Sequence, residues 1–245
     1  MTRNLRFTVA YDGTNYSGWQ RQANALAVQE VIEQALTKIC KETVTIFGSG
    51  RTDAGVHALG QVVSFRTTSS IPVGRLAAAL NGLLPPDIVT RDGEEVPAVF
   101  HARSSAKEKM YRYIIYNDPI SSPFNRYYTW QLFAPLNFEA MVQASEYFLG
   151  THDFSAFRAT GGGPKKPVRT LYLSSWQKKG SFLEYEVRGT GFLYHMVRNM
   201  VGAMVEIGKN KIPSDAILDI LASKQRHLAG ITAPPQGLYL VHVTY

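Results

Sequence analysis

The chain has 245 residues, of which 45% are hydrophobic and 18% charged, with a formal net charge of +7 and a pI near 9.4. The basic excess favours a polyanionic partner. No apolar stretch approaches the ~20 residues that a membrane span requires, and the single cysteine excludes an internal disulfide and a cysteine-based zinc site. Because the first residues also lack the apolar core of a signal peptide, we expect a cytoplasmic protein without membrane association.

The N-terminal part of the chain shows the element order β-α-β-β-α-β. Alternating apolar residues predict strands, and apolar residues at three- and four-residue spacing predict helices. The predicted strands cover 5–13, 44–50, 61–67 and 88–92, and the predicted helices cover 27–42 and a segment from Pro72 to the Pro85-Pro86 pair.

The same order recurs in the C-terminal part, with one additional helix. The predicted elements are a strand over 108–117, a helix over 136–150 that ends at Gly150, a hairpin over 169–189 that turns at Lys179-Gly180, helices over 192–208 and 213–224, and a strand over 238–245. This repetition predicts an α+β fold of two ferredoxin-like halves, residues 1–100 and 101–245, with largely antiparallel sheet and helices on one face. A central cleft between such halves is the expected place for a site.

Asp53 lies in the stretch GSGRTDAGVHALGQ, residues 48–61. The local chemistry is that of a turn, because aspartate caps its own loop and Gly55 permits positive φ. The stretch nevertheless contains more glycine than one turn requires, which indicates the close approach of a bulky group. Arg51 can keep the carboxylate ionised or bind a phosphate. Asp53 is therefore either a turn residue or the acid of an active site.

Arg198 and Tyr111 are the second and third candidates. A guanidinium within an apolar helix is costly, so Arg198 either reaches the surface or meets a buried carboxylate, for which Asp53 is our choice. Tyr111 and Tyr113 alternate on a strand with interleaved basic residues. Such tyrosines are either core residues or a platform on which nucleobases stack.

A basic, glycine-rich stretch, RATGGGPKKPVRT, covers residues 158–170. It is either a flexible connection or an arm that contacts phosphates through Arg158, Lys165, Lys166 and Arg169. The six histidines show no ligand-like clustering, and neither a P-loop nor a G-x-G-x-x-G string occurs. We therefore expect no metal and no nucleotide cofactor.

Several strings resemble the TruA family of tRNA pseudouridine synthases and together cover nearly the whole chain. They are GRTDAGVHALGQVVSF, YDGTNYSGWQRQ, MYRYIIYN, YHMVRNMVG and GLYLV. The resemblance implies the pseudouridine synthase fold and a homodimer that isomerises uridine to pseudouridine in the anticodon stem-loop of tRNA. It also implies a reaction that is redox-neutral and needs no cofactor.

The resemblance also implies roles for individual residues. Asp53 takes the place of the family's nucleophile, Tyr111 would stack on the flipped uracil, and Arg51 would hold the loop or a phosphate. Attack on the sugar C1′, attack on the base and removal of a sugar proton all stay open. Ser104 departs from the family pattern, which has an aromatic residue there, and this leaves the shape of the RNA entrance undefined.

Two other functions compete with this interpretation. A non-catalytic RNA-binding module explains the charge and the tyrosines, but it does not explain the acid among glycines, and the RNP1 pattern is absent. An acid–base hydrolase needs a second carboxylate or a histidine beside Asp53. His57 is the only local candidate, and we expect it to be a hydrogen-bonded structural residue.

Overall fold

The computed structural model of the chain describes residues 1–161 and 166–245. The first structural unit contains Met1–Lys107 and Tyr239–Tyr245, and the second contains Glu108–Leu238. The fold is α+β, and its strands pair mainly antiparallel, as the alternating patterns predict. Among the described residues, no helix is long and apolar enough to cross a membrane.

The helices and strands follow one another in the order below. From the N-terminus they are β1 (Arg3–Tyr11), α1 (Val28–Cys40), β2 (Phe47–Gly48), β3 (His57–Thr67), α2 (Val73–Leu83), β4 (Ile88–Glu95) and β5 (Glu108–Asn117). They continue with β6 (Trp130–Leu132), α3 (Phe138–Glu146), β7 (Gly150–Asp153), β8 (Val168–Lys179), β9 (Phe182–Gly189), α4 (Met196–Gly208), α5 (Ala216–Ser223) and β10 (Leu238–Thr244).

The first unit is organised around β3, its longest strand. One edge of β3 pairs antiparallel with β1, which pairs on its other side with β4. The other edge of β3 pairs in parallel with β10 near its start, and antiparallel with β2 near its end. The Phe7 and Phe65 rings stack 5.8 Å apart where β1 and β3 meet. The loop between β2 and β3 therefore starts and ends within paired strands.

The second unit contains the antiparallel strand order β5-β9-β8-β7, with β6 added in parallel to β5. The predicted alternation on β9 is confirmed, because Leu183, Tyr185 and Val187 are buried between more exposed charged residues. Pairing of Lys179 with Phe182 makes Gly180 and Ser181 the turn of the hairpin, so the predicted Lys179-Gly180 turn is one residue early.

Several helices are shorter than predicted, and the backbone explains why. The helix expected over 192–208 begins at Met196, because His195 adopts a left-handed conformation with φ of 58°. Helix α3 begins after Asn137, whose side chain accepts the Ala140 N–H, and it ends before Gly150. Gly150, at φ of 93°, starts β7 instead of ending a helix.

Candidate active site

Asp53 lies in the loop between β2 and β3, where the turn expected from its sequence is present. Gly55 adopts a φ of 76°, and the Val56 N–H donates to the Asp53 carbonyl at 3.1 Å. Thr52 is buried, Asp53 is half-buried and Arg51 is exposed. The turn therefore leaves the acid at the boundary between core and solvent.

The loop is held by the segment that follows β1. The Trp19 N–H donates to the Thr52 carbonyl at 3.1 Å, and the Gly55 N–H donates to the Tyr16 carbonyl at 3.2 Å. Gly18 has a φ of 90°, and a Cβ placed on it would lie 2.6 Å from the Thr52 carbonyl oxygen and 3.1 Å from the Asp53 carbonyl carbon. Glycine at this position thus permits the close approach of two backbone segments.

Thr52 anchors the loop to the core through its side chain. Its Oγ1 lies 2.8 Å from the Tyr11 hydroxyl, and both side chains are buried. Burial raises the pKa of Tyr11, although the hydrogen bond with Thr52 acts in the opposite direction. Tyr11 therefore remains a neutral phenol, and the residue directly before Asp53 has little freedom to move.

Tyr16 fixes the other side of the loop. Its hydroxyl donates to Asp87 Oδ1 at 2.7 Å. Burial raises the pKa of Tyr16, and the hydrogen bond and negative charge of Asp87 raise it further. The Tyr16 carbonyl also accepts the Gly55 N–H. The hydrogen bond between Tyr16 and Asp87 therefore helps to fix the turn that carries Asp53.

His57 is a structural residue, as expected. It is 2% exposed, its ring stacks on Tyr239 at 4.8 Å, and its Nδ1 accepts the Gly13 N–H at 3.0 Å. Asp12 Oδ1 lies 3.1 Å from the same nitrogen, but one nitrogen cannot accept from Gly13 and donate to Asp12 at once. Since Thr14 already gives Asp12 Oδ1 two donors, we assign the neutral ring that accepts from Gly13.

Tyr111 lies on β5 in the second unit, directly opposite Val187 on β9. It is buried, and its ring meets Phe192 edge-on at 5.0 Å. Its neighbour on the same face, Tyr113, donates its hydroxyl to the Pro234 carbonyl at 2.8 Å. Burial raises the pKa of Tyr113 well above its usual value. Tyr113 is thus a core residue. Tyr111 is also buried, but it lies closer to the start of β5.

Arg198 lies in the first turn of α4 and is half-buried. Its Nε donates to the Ala233 carbonyl at 2.7 Å, and the Ala233 N–H donates back to the Arg198 carbonyl at 3.1 Å. A Cβ on Gly202, one helical turn further along, would lie 1.9 Å from the Ile231 carbonyl oxygen. The segment around 231–233 therefore packs directly on α4 and directs the Arg198 guanidinium.

Three of the four basic candidates in the stretch 158–170 are described, whereas Lys165 lies outside the described residues. Lys166 is exposed and Arg158 is half-buried. Arg169 Nη1 donates to the carbonyls of Lys166 and Val168, and burial lowers the Arg169 pKa. Arg169 thus braces its own backbone, and Lys166 is the more accessible cation.

The first unit brings Arg51 and Asp53 together in one loop, and the second unit contains Tyr111 and Arg198. Three side chains to which the sequence pattern assigned no role support the Asp53 loop: Tyr11, Tyr16 and Gln20, whose Oε1 accepts the Arg51 Nε–H at 3.2 Å. All three lie in the string YDGTNYSGWQRQ, and their unusual density of polar and aromatic groups beside glycines is the signal that could have identified them.

Comparison with known proteins identifies the family of the chain. The family model described as tRNA pseudouridine synthase matches residues 8–103 and 144–245, ranges that contain Arg51, Asp53 and Arg198 but not Tyr111. Proteins named tRNA pseudouridine synthase A from Thermoanaerobacter sp. (strain X514) and Acetivibrio thermocellus are each 49% identical over 243 residues, covering 99% of this chain and 100% of theirs. The protein of that name from Geotalea daltonii is 46% identical over the same length, with the same coverage. The chain belongs to the tRNA pseudouridine synthase family.

Proposed function

We propose that the protein isomerises uridine to pseudouridine in the anticodon stem-loop of tRNA, with Asp53 as the nucleophile. The observation that carries this proposal is the loop around Asp53, in which backbone hydrogen bonds, a close glycine contact and a buried Tyr11–Thr52 pair hold a half-buried carboxylate. A turn with no further role needs no such support. The names of the relatives, each a tRNA pseudouridine synthase A, support tRNA as the substrate.

The reaction exchanges one glycosidic bond for another. The N1–C1′ bond breaks, the uracil turns, and a C5–C1′ bond forms; C5 releases its proton to solvent and N1 takes up a proton from solvent. Atoms and electrons balance without an oxidant or a group donor. The Asp53 carboxylate must be ionised whether it attacks C1′, attacks the base or removes a sugar proton, and the target base must leave its stack to reach it.

The family resemblance supports further roles for residues in both units. We assign Arg198 as the cationic partner that keeps the carboxylate ionised, and Tyr111 as the ring on which the flipped uracil stacks. Arg51 is assigned to the tRNA backbone, since it is exposed and lies two residues before Asp53. The basic residues Arg158, Lys165, Lys166 and Arg169 are assigned to phosphate contacts.

We extend the proposal to the architecture and the assembly. The element order β-α-β-β-α-β from β1 to β4 supports a ferredoxin-like half over residues 1–100, and we propose residues 101–245 as the second half, whose last strand, β10, pairs with β3 of the first unit. A homodimer that acts on tRNA in the cytoplasm follows from the resemblance. Sedimentation of the protein alone and with tRNA tests the dimer, and a single-chain mass in both samples would exclude it.

Tritium release from tRNA labelled at uracil C5 tests the proposed reaction, because only formation of the C5–C1′ bond displaces that hydrogen. We expect release by the wild-type protein, with the product pseudouridine located in the anticodon arm. Binding of tRNA without any release would instead favour the non-catalytic RNA-binding module.

A further inference from the structure

A chain of polar side chains runs from the interior of the first unit to Arg51. It starts at Glu33 on α1, whose side chain is only 4% exposed, and continues through Gln29, which is 7% exposed. It ends at the exposed residues Gln20 and Arg51. Buried polar groups are costly unless they are satisfied, and both Glu33 and Gln29 have hydrogen-bond partners.

The contacts form one continuous series. Gln29 Nε2 donates to Glu33 Oε1 at 2.9 Å, and Gln20 Nε2 donates to Gln29 Oε1 at 2.9 Å. Arg51 Nε then donates to Gln20 Oε1 at 3.2 Å. Three hydrogen bonds therefore join a buried carboxylate to the guanidinium that lies two residues before Asp53.

Several partners fix the direction of the bonds in the series. Gln29 directs its NH₂ group toward Glu33 Oε1 and the Ile46 carbonyl, and its oxygen toward Gln20 and the Arg21 N–H. The same reasoning then places the NH₂ group of Gln20 on Gln29 and leaves the Gln20 oxygen for Arg51. A glutamine amide on its own has no such preference, because either end can face a neighbour.

Other contacts hold the Glu33 carboxylate in place. Its Oε1 also accepts the Ile46 N–H at 3.0 Å, and its Oε2 lies 3.0 Å from Arg21 Nη1, close enough for an ion pair although the two are not aligned as a hydrogen bond. The Gln29 oxygen accepts a second donor, the Arg21 N–H, at 3.1 Å. The first two members of the series are thus fixed from several directions.

We propose that Glu33, Gln29 and Gln20 are positioning residues that orient Arg51 for its contact with tRNA. This proposal rests on the proposed function, in which Arg51 binds the tRNA backbone. With its Nε held by Gln20, the guanidinium is restrained while its two terminal NH₂ groups remain available for a phosphate. Pre-organisation of this kind lowers the entropic cost of binding a charged, flexible side chain.

A double-mutant cycle on tRNA affinity tests the functional part of the proposal. Gln20 is exposed, so Gln20→Ala should leave the fold intact. We expect it to weaken tRNA binding by about fivefold, the equivalent of one hydrogen bond, and to have no further effect in an Arg51→Ala background. Equal effects in both backgrounds, or no effect in the wild-type background, would overturn the proposal.

Hydrogen exchange of the Arg51 Nε–H, followed by NMR, tests the structural part without tRNA. The signal is assigned by its loss in Arg51→Ala. We expect Gln20→Ala to accelerate the exchange because it removes the acceptor of the Arg51 Nε–H. We expect Glu33→Gln to accelerate it because a neutral amide is a weaker acceptor than a carboxylate for the Gln29 NH₂ group. Glu30→Gln is the matched control, since it makes the same chemical change on the same helix at a half-buried position.

The two measurements separate failure of this proposal from failure of the proposed function. Unchanged Nε–H exchange in both variants would exclude the positioning role even if the wild-type protein releases tritium from tRNA. Absence of tritium release by the wild-type protein would refute the proposed function, and the exchange data would still report whether the series orients Arg51.

Discussion

Replacing Gly18 with alanine should displace the loop that carries Asp53. Gly18 has a φ of 90°, and its new Cβ would lie 2.6 Å from the Thr52 carbonyl oxygen, 3.1 Å from the Asp53 carbonyl carbon and 3.2 Å from the Ala54 nitrogen. All three atoms belong to the backbone, so no side chain can rotate away. To reach ordinary contact at 3.4 Å, the Thr52 carbonyl must retreat by about 0.8 Å.

The loss of stability in Gly18→Ala has two parts. A positive φ costs a residue with a Cβ about 1–2 kcal/mol, and overpacking against backbone adds about 1–3 kcal/mol. The sum, about 2–5 kcal/mol, is smaller than the roughly 10 kcal/mol by which a domain of ordinary stability is folded, so the variant should stay folded. For the reaction, a displacement near 1 Å of a catalytic group can cost on the order of 10²-fold in rate. We therefore expect a loss of activity much larger than the fraction of unfolded protein explains.

Gly150→Ala is the matched control for backbone strain. Gly150 has a φ of 93°, nearly that of Gly18, but a Cβ there would meet only His152 Nε2 at an ordinary 3.8 Å. Urea unfolding should show a loss of about 1–2 kcal/mol for this variant. Its rate of tritium release from C5-labelled tRNA, measured where all variants are folded, should stay within about twofold of wild type.

The comparison of these two variants tests whether the contact at Gly18 positions Asp53. If Gly18→Ala retains the activity of Gly150→Ala, the close contact between Gly18 and the Thr52–Ala54 backbone does not position Asp53, and our account of the loop is wrong. A crystal structure of Gly18→Ala would then show whether the loop had moved at all.

Three further predictions concern stability and tRNA binding. Tyr11→Phe should destabilise the protein by about 1–3 kcal/mol in urea unfolding, because the buried Thr52 hydroxyl loses its partner at 2.8 Å; no change would mean that the pair is not an anchor. Hydrogen bonds from Thr67 and its neighbour lower the pKa of Glu42 from 4.5 to about 2, so its contribution to stability should be complete above pH 4.5 and lost as the pH falls toward 2. Glu42→Gln should flatten acid unfolding across that interval, and an unchanged curve would contradict this. Lys166→Ala should lower the salt dependence of tRNA binding by about one unit of slope, and an unaltered slope would remove Lys166 from the phosphate contacts.

The strands that alternate strongly could be predicted from the sequence. The strand expected over 108–117 is Glu108–Asn117, because the segment is rich in tyrosine and isoleucine, and its buried residues Tyr111, Tyr113 and Ile115 alternate. Strands β6 and β7 have only three and four residues and carry no such pattern, so pairing with neighbouring strands, and not local preference, forms them. The start of α4 could not be predicted, because the apolar pattern begins before His195. The left-handed φ of His195, which delays the helix to Met196, leaves no trace in that pattern.

The turn at Asp53 could also be predicted, but its support could not. Asp-Ala-Gly is a local signal, and Gly55 indeed adopts positive φ. The hydrogen bond between Tyr11 and Thr52 joins residues 41 positions apart, and that between Tyr16 and Asp87 joins residues 71 positions apart. Such contacts depend on how β1, β3 and β4 are arranged, and a single sequence does not specify that register.

The most direct test of the central claim is tritium release by Asp53→Asn beside wild type, with tRNA affinity measured on the same samples. The substitution keeps the shape of the side chain and removes its negative charge. Our account predicts that release is abolished while tRNA affinity stays close to that of wild type. Release at the wild-type rate by Asp53→Asn would contradict it.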